Sequence, residues 1–308
     1  MIKKYLVIIL LSGLFSNSLK AQSDIKLSVQ NFQPLVINPA YAGSYEGLAV
    51  SAMHSSQWTG FDGAPKTQFL TANYRFTNDK VGVGLSIYKD EIGPLNEYNV
   101  EGNYSYNVIL NDEFRLTLGL KVGLNNFDID YNKLHIENPG EVNGLEGDLS
   151  QLSPIVGAGL YLYDENFFFG FSTPTFIKTK YLDNNSTNIS KRNIYLYSNA
   201  GYAFKFDNDF NLTPILQYRY TSNAPSSLVF MANLEWKDSF FGGLNTDFDS
   251  SLGAFVGVRF LQNFKFAYSY ESSLNDFSGY NGGGHTFLLT YEFSSYKYHN
   301  ERRSYNRF

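Results

Sequence analysis

Four histidines, His54, His135, His285 and His299, are the side chains in this sequence best suited to hold a transition metal or serve as a general base. Their spacing supports neither use. No pair stands in an HExxH arrangement, and no nucleophile, base and orienting acid occur in a recognisable hydrolytic pattern. A second candidate is the stretch from Asp128 to Leu152, where Asp128, Asp130, Glu137, Glu141, Glu146 and Asp148 accompany a single lysine, Lys133. Hard carboxylate oxygens suit calcium, but EF-hand spacing is absent, so a solvated acidic loop is the competing reading. There is no cysteine, which removes thiolate chemistry, disulfides and a lipidated anchor. The chain is expected to work without a catalytic centre, a cofactor or a metal.

What must position these residues is a set of β-strands. From Tyr98 to Val108, Tyr98, Val100, Gly102, Tyr104, Tyr106 and Val108 alternate with Asn99, Glu101, Asn103, Ser105 and Asn107. From Phe114 to Asn125, Phe114, Leu116, Leu118, Leu120, Val122 and Leu124 alternate with Arg115, Thr117, Gly119, Lys121, Gly123 and Asn125. A helix would scatter both sets around its circumference, whereas a strand puts one set on an apolar face and the other on a wet one. About fourteen such runs follow one another between residues 47 and 293. Tight polar turns (77–80, 110–112, 164–165, 207–209, 237–238 and 261–263) alternate with connections that are mostly longer: 55–65, 90–95, 128–152, 176–192, 221–226, 249–250 and 275–283. An all-β transmembrane antiparallel barrel of about fourteen strands, with short periplasmic turns and longer extracellular loops, fits this rhythm. A secreted β-sandwich would share the alternation, but not so many long strands rich in Tyr and Phe.

Composition points the same way. Aromatic residues make up 17% of the chain, with 24 Tyr and 27 Phe, as girdles at two membrane interfaces require. A formal net charge of -5 argues against a nucleic-acid partner. Lys3 and Lys4 followed by an apolar run and Ala21 read as a signal peptide over residues 1–21. The mature chain then divides into a periplasmic segment or plug at 22–46, a barrel at 47–293 and a basic periplasmic tail at 294–308. Within the barrel, alternation turns Arg75, Glu101, Arg115, Lys121, Arg219, Glu235, Arg259, Lys265, Glu271 and Glu292 towards the lumen. Glu101 should lie near Lys121, and Arg259, Lys265 and Glu292 should meet near the short-turn end.

Before the first strand stands Asn38-Pro39-Ala40-Tyr41-Ala42-Gly43-Ser44, and the first long connection contains Gln57-Trp58-Thr59-Gly60-Phe61. A Gly-rich stretch and His285 precede the last strand. Together these resemble the PorP/SprF family of outer-membrane proteins associated with type IX secretion and gliding in Bacteroidetes. Thr286 departs from the acidic residue expected after the histidine. Physically, Asn-Pro sets an extended or turn conformation, and Ala40, Ala42 and Gly43 allow close backbone approach. The stretch suits either a plug at the periplasmic mouth or a tight entry turn. Trp58 and Phe61 suit either a partner anchor or packing in the barrel mouth.

The resemblance implies a non-enzymatic role: binding secreted proteins through their C-terminal sorting domains for export or surface attachment, in contact with periplasmic and outer-membrane type IX components and with outer-membrane lipid. Asn38, Pro39, Ala40, Tyr41, Ala42, Gly43, Gln57, Trp58, Phe61 and His285 are the candidate partner-binding or plug residues. The alternative function is a passive diffusion porin or small-solute transporter.

Overall fold

The computed structural model describes residues 31–45, 47–77, 79–130, 133, 149–182, 188–207, 209–222, 225–248, 250–274 and 282–293. The signal-peptide stretch, His135, His299, most of the acidic loop and the basic tail lie outside the described residues.

The strands are β1 (Leu48–Ser56), β2 (Lys66–Arg75), β3 (Val81–Ile92), β4 (Leu95–Ile109), β5 (Arg115–Ile129), β6 (Leu149–Tyr163), β7 (Phe167–Thr173), β8 (Thr179–Leu182), β9 (Asn188–Arg192), β10 (Leu196–Tyr202), β11 (Phe204–Asp207), β12 (Phe210–Tyr220), β13 (Ser227–Trp236), β14 (Phe240–Thr246), β15 (Ser251–Phe260), β16 (Phe264–Ser273) and β17 (Gly284–Phe293). Every neighbouring pair in the main sheet is antiparallel, β1 pairs with β17, and β10 pairs with both β7 and β12. The sheet therefore closes, leaving no open edge to be satisfied in lipid. It forms a cylinder of fourteen staves, with β10 and β11 acting as one stave broken at Ala203. Strands β8 and β9 make a separate hairpin inside the connection expected as an irregular loop at 176–192.

Alternation decides which way each side chain points. On β5, Leu118, Leu120, Val122 and Leu124 are exposed on the outside, while Lys121 and Asn125 are fully buried inside. Outward aromatics cluster at the short-turn end. Tyr74–Phe76, Trp236–Phe240, Phe260–Phe264 and Phe264–Tyr291 have ring centroids 5.0, 5.6, 5.3 and 4.6 Å apart. Such rings suit the headgroup level, where an apolar body meets a wet boundary.

The turns at that end are tight. Lys237 and Asp238 have φ of 53° and 51°, and Leu261 and Gln262 have φ of 48° and 62°. Consecutive positive φ values are what a two-residue turn matching the right-handed strand twist requires. The connection expected at 90–95 shrinks to Gly93-Pro94, because Asp90, Glu91 and Ile92 continue the ladder against Glu97, Asn96 and Leu95. Polar residues there mark the strand rising beyond the apolar band, not its end.

Leu120 lies in the middle of the outward apolar row of β5. Leu120→Arg is expected to destabilise the barrel by about 2–4 kcal/mol, because an arginine would then sit against the hydrocarbon midplane. Urea titration of folding into lipid vesicles measures it.

Candidate functional site

Residues 31–45 do not lie outside the barrel. They enter the lumen, turn and come back to the short-turn end before β1. Pro34–Ile37 form a single helical turn, α1, with proline at the first helical position, where its missing N–H costs nothing. Asn38 follows in extended backbone, and its side chain accepts a bond from the Ala40 N–H at 3.0 Å, starting the 3-10 turn Pro39–Tyr41. Its Nδ2 donates to the Leu160 carbonyl of β6 at 3.1 Å. Asn38, Pro39, Ala40, Tyr41 and Ala42 are all buried. The Asn-Pro-Ala-Tyr-Ala-Gly string is thus in close contact with the wall.

The wall fits it by being small where the segment is close. A Cβ added at Gly119 would sit 2.2 Å from the Ala40 nitrogen, one at Gly82 would sit 2.2 Å from the Ala42 carbonyl oxygen, and one at Gly159 would sit 2.0 Å from Asn38 Oδ1. Gly43 has φ of 76° and faces Gly82, so it is excluded from bearing a side chain twice over.

The wall also supplies the hydrogen bonds that this irregular backbone lacks. Asn73 Nδ2 donates to the Tyr41 carbonyl at 3.2 Å and Ser105 Oγ to that of Ala42 at 2.6 Å. Arg75 donates from Nε to the Gly43 carbonyl at 2.6 Å and from Nη2 to that of Ser44 at 3.2 Å. Four successive carbonyls are thereby satisfied by three wall side chains. Lys121 Nζ donates to the Val36 carbonyl and to Glu101 Oε2, both at 2.6 Å, with no exposed surface left on the lysine. The expected proximity of Glu101 and Lys121 is therefore met, and the pair grips the segment as well as itself. Around α1, Val36 packs with Met53, Phe69, Ala267 and Leu288 in a buried apolar cluster across the lumen. On either side of its Met53–Leu288 pair lie the Ser51–Thr290 and Ser55–Thr286 hydroxyl pairs, at 2.8 and 2.7 Å along the β1–β17 seam.

The remaining candidates are elsewhere. Gln57, Trp58 and Phe61 lie at the long-loop end, with Trp58 and Phe61 exposed and Trp58 held at φ of 44°. Their loop is pinned on both sides: the Thr59 N–H donates to the Gly283 carbonyl at 3.1 Å, and the Gly93 N–H to that of Gly63 at 2.9 Å. Register places His285 opposite Ser56, and His54 opposite Phe287, on the outward face. His285 Nδ1 is hydrogen-bonded to the Tyr268 hydroxyl at 2.8 Å, and Thr286 turns inward to Ser55. The two histidines do not combine with the luminal segment into one site. Arg259 and Glu292 approach to 3.9 Å at the short-turn end, with Lys265 opposite Arg259 in register. Among the described residues, no group of three or more His, Asp or Glu side chains is arranged to hold a metal.

Sequence reasoning placed Arg75 and Lys121 in the lumen but missed that they, with Asn73, Ser105, Gly82, Gly119 and Gly159, form a seat. The available signal was glycine at inward positions of long strands, which marks a close backbone approach. Lys121→Met should strand the Glu101 carboxylate and orphan the Val36 carbonyl, costing about 3–5 kcal/mol. Adding Glu101→Gln should recover part of that loss, as read by denaturant titration of the folded barrel.

Among solved structures, the chain is similar to the CymD monoaromatic hydrocarbon channel at 11% identity, with a TM-score of 0.52 and 89% of this chain and 95% of that one covered. The toluene transporter TodX of P. putida is similar at 9% identity, with a TM-score of 0.47 and coverage of 84% and 94%. Omp33 of Acinetobacter baumannii is similar at 10% identity, with a TM-score of 0.46 and coverage of 82% and 100%. The CymD likeness, at that identity, shows the shared barrel fold alone. No curated protein matches the chain in sequence. The family model described as "Type IX secretion system membrane protein PorP/SprF" matches residues 19–291. A membrane barrel carrying the Asn38–Gly43 string inside its lumen, and matched over nearly its whole length, this chain belongs to the PorP/SprF family of type IX secretion system membrane proteins.

Proposed function

We propose that this barrel is a docking component of type IX secretion that works by binding, with no bond made or broken. The short-turn end, where both the luminal segment and β17 finish, faces the periplasm, and the long-loop end faces the cell surface. Secreted proteins are held through their C-terminal sorting domains at the long-loop end, where Trp58 and Phe61 supply exposed aromatic anchors on a loop already fixed to its neighbours. Periplasmic components of the machinery contact the 22–46 region or the basic tail.

The observation that carries this reading is the occupied lumen. Residues 33–43 are buried almost throughout, and inward side chains of the wall above them, including Ser55, Asn125 and Thr286, are fully or nearly fully buried. A diffusion pore needs a continuous wet path lined by exposed polar groups. The family match supports secretion, whereas the likeness to a solved hydrocarbon channel supports only the architecture.

In planar bilayers the wild-type barrel is expected to give no sustained single-channel steps. Gly119→Val, whose side chain would collide with the Ala40 backbone, is expected to unseat the segment and produce them. Steady wild-type conductance would favour the porin alternative. A pull-down of the tagged barrel from mildly solubilised outer membranes is expected to recover a secreted protein with a C-terminal sorting domain together with type IX components. Trp58→Ala with Phe61→Ala should reduce that recovery, each residue contributing more than about 1 kcal/mol if it is an anchor. Undiminished recovery would place the contact elsewhere.

A further inference from the structure

Two lysines and two histidines on the outside of the barrel take no part in the luminal seat. Lys66 of β2 and Lys89 of β3 share the outward face with Gln68, Leu70 and Ile87, because Phe69, Thr71 and Ser86 occupy the buried, inward positions between them. Register sets Lys66 opposite Glu91 and Gln68 opposite Lys89, so the two lysines are diagonal neighbours, about 7–8 Å apart. His54 faces Gln68 across the β1–β2 ladder and is diagonal to Lys66, while His285, opposite Ser56, is diagonal to His54 across the closing seam. His285, His54, Lys66 and Lys89 therefore form one arc over β17, β1, β2 and β3. Among the described strands of the closed sheet there is no other histidine, and every other lysine or arginine points to the lumen or, like Lys205, stands at the short-turn end.

The arc lies on a boundary. One step nearer the middle of the same strands, Leu289, Ala52, Leu70 and Ile87 make a continuous exposed row in register. Ala52, the smallest of the four, leaves a shallow furrow between the two leucines, running up to His54. Exposed tyrosines flank the arc as interfacial aromatics do: Lys89 Nζ lies 5.2 Å from the centre of the Tyr98 ring, and the Tyr270 ring lies 5.3 Å from that of His285. On the outward faces of these four strands the single acid is Glu91, which pairs with Lys89. Two lysines and two imidazoles against one carboxylate leave the arc basic. Basic clusters placed where an apolar surface meets a headgroup layer recognise anionic lipid headgroups.

We propose that this arc binds the phosphate of a lipid in the leaflet facing the cell surface. Lys66 and Lys89 pair with the phosphate oxygens, the His54 ring donates to the headgroup, and an acyl chain lies in the furrow over Ala52. Which leaflet is engaged rests on the orientation given under the docking reading, whereas the site itself does not. The lipid would fix the seam strands β1 and β17 to the membrane beside the loop that carries Trp58.

The purified full-length barrel in neutral detergent is titrated with monophosphoryl lipid A, and bound lipid is counted by native mass spectrometry. Lys66→Gln and Lys89→Gln are each expected to weaken binding about fivefold, and the pair about thirtyfold. Glu91→Gln, which removes the competing carboxylate, is expected to strengthen it, a direction that damage to the fold would not produce. Lys237→Gln, an equal loss of charge in a turn at the opposite end, is expected to leave it unchanged. Unaltered binding by the double variant would overturn the site. Equal binding of the dephosphorylated lipid would overturn the phosphate assignment, and displacement by inorganic phosphate alone would replace the lipid with a free anion. Neither cargo nor conductance is read, so a failure here is distinct from a failure of the docking reading.

Discussion

Irregular backbone at membrane depth exists only where protein satisfies its carbonyl and amide groups, and the rest of this structure depends on how the wall meets that demand. Asn73, Arg75, Ser105 and Lys121 donate into the carbonyls of residues 36 and 41–44, while inward glycines let the backbone come close enough to receive those bonds. Remove the donors and the segment becomes a row of stranded polar groups. Restore side chains at the glycines and the donors no longer reach. Closeness and bonding are thus one requirement, distributed over five strands.

The same requirement explains the chemistry of the lumen. A charged lysine with no exposed surface is tolerated because Glu101 neutralises it and the Val36 carbonyl accepts a further hydrogen bond from it. The mixed signs seen along the inward positions are consistent with this use. Arg75 serves carbonyls, Lys121 serves a carboxylate and a carbonyl, and Arg259 approaches a carboxylate near the mouth. None of these cations is arranged as a ring around an open pore.

Much of this was legible in the residues. Period-two alternation located the strands and assigned Glu101 and Lys121 to a common interior, because in a strand the side-chain period leaves no freedom about which face a residue occupies. The Asn-Pro-Ala-Tyr-Ala-Gly string announced close approach through its small residues, although not what it approached, since its partners lie on strands up to 158 positions away. The β8–β9 hairpin and the tight Gly93-Pro94 turn were hidden because polar composition does not distinguish an irregular loop from a strand standing clear of the membrane.

The seat has a further consequence for assembly. Its residues, Asn73, Arg75, Gly82, Ser105, Gly119, Lys121 and Gly159, all belong to β2 through β6, whereas the seam joins β1 to β17 across more than two hundred residues, as in the Ser51–Thr290 pair. Contacts between nearby parts of a chain form at lower entropic cost than distant ones. An open, curved sheet of the early strands therefore already carries the donors and glycines of that seat, while Ala267 and Leu288 reach Val36 from the last two strands. In the finished cylinder the N-terminal residues stand where a mandrel would, against the first half of the wall, and the β1–β17 pairing encloses them.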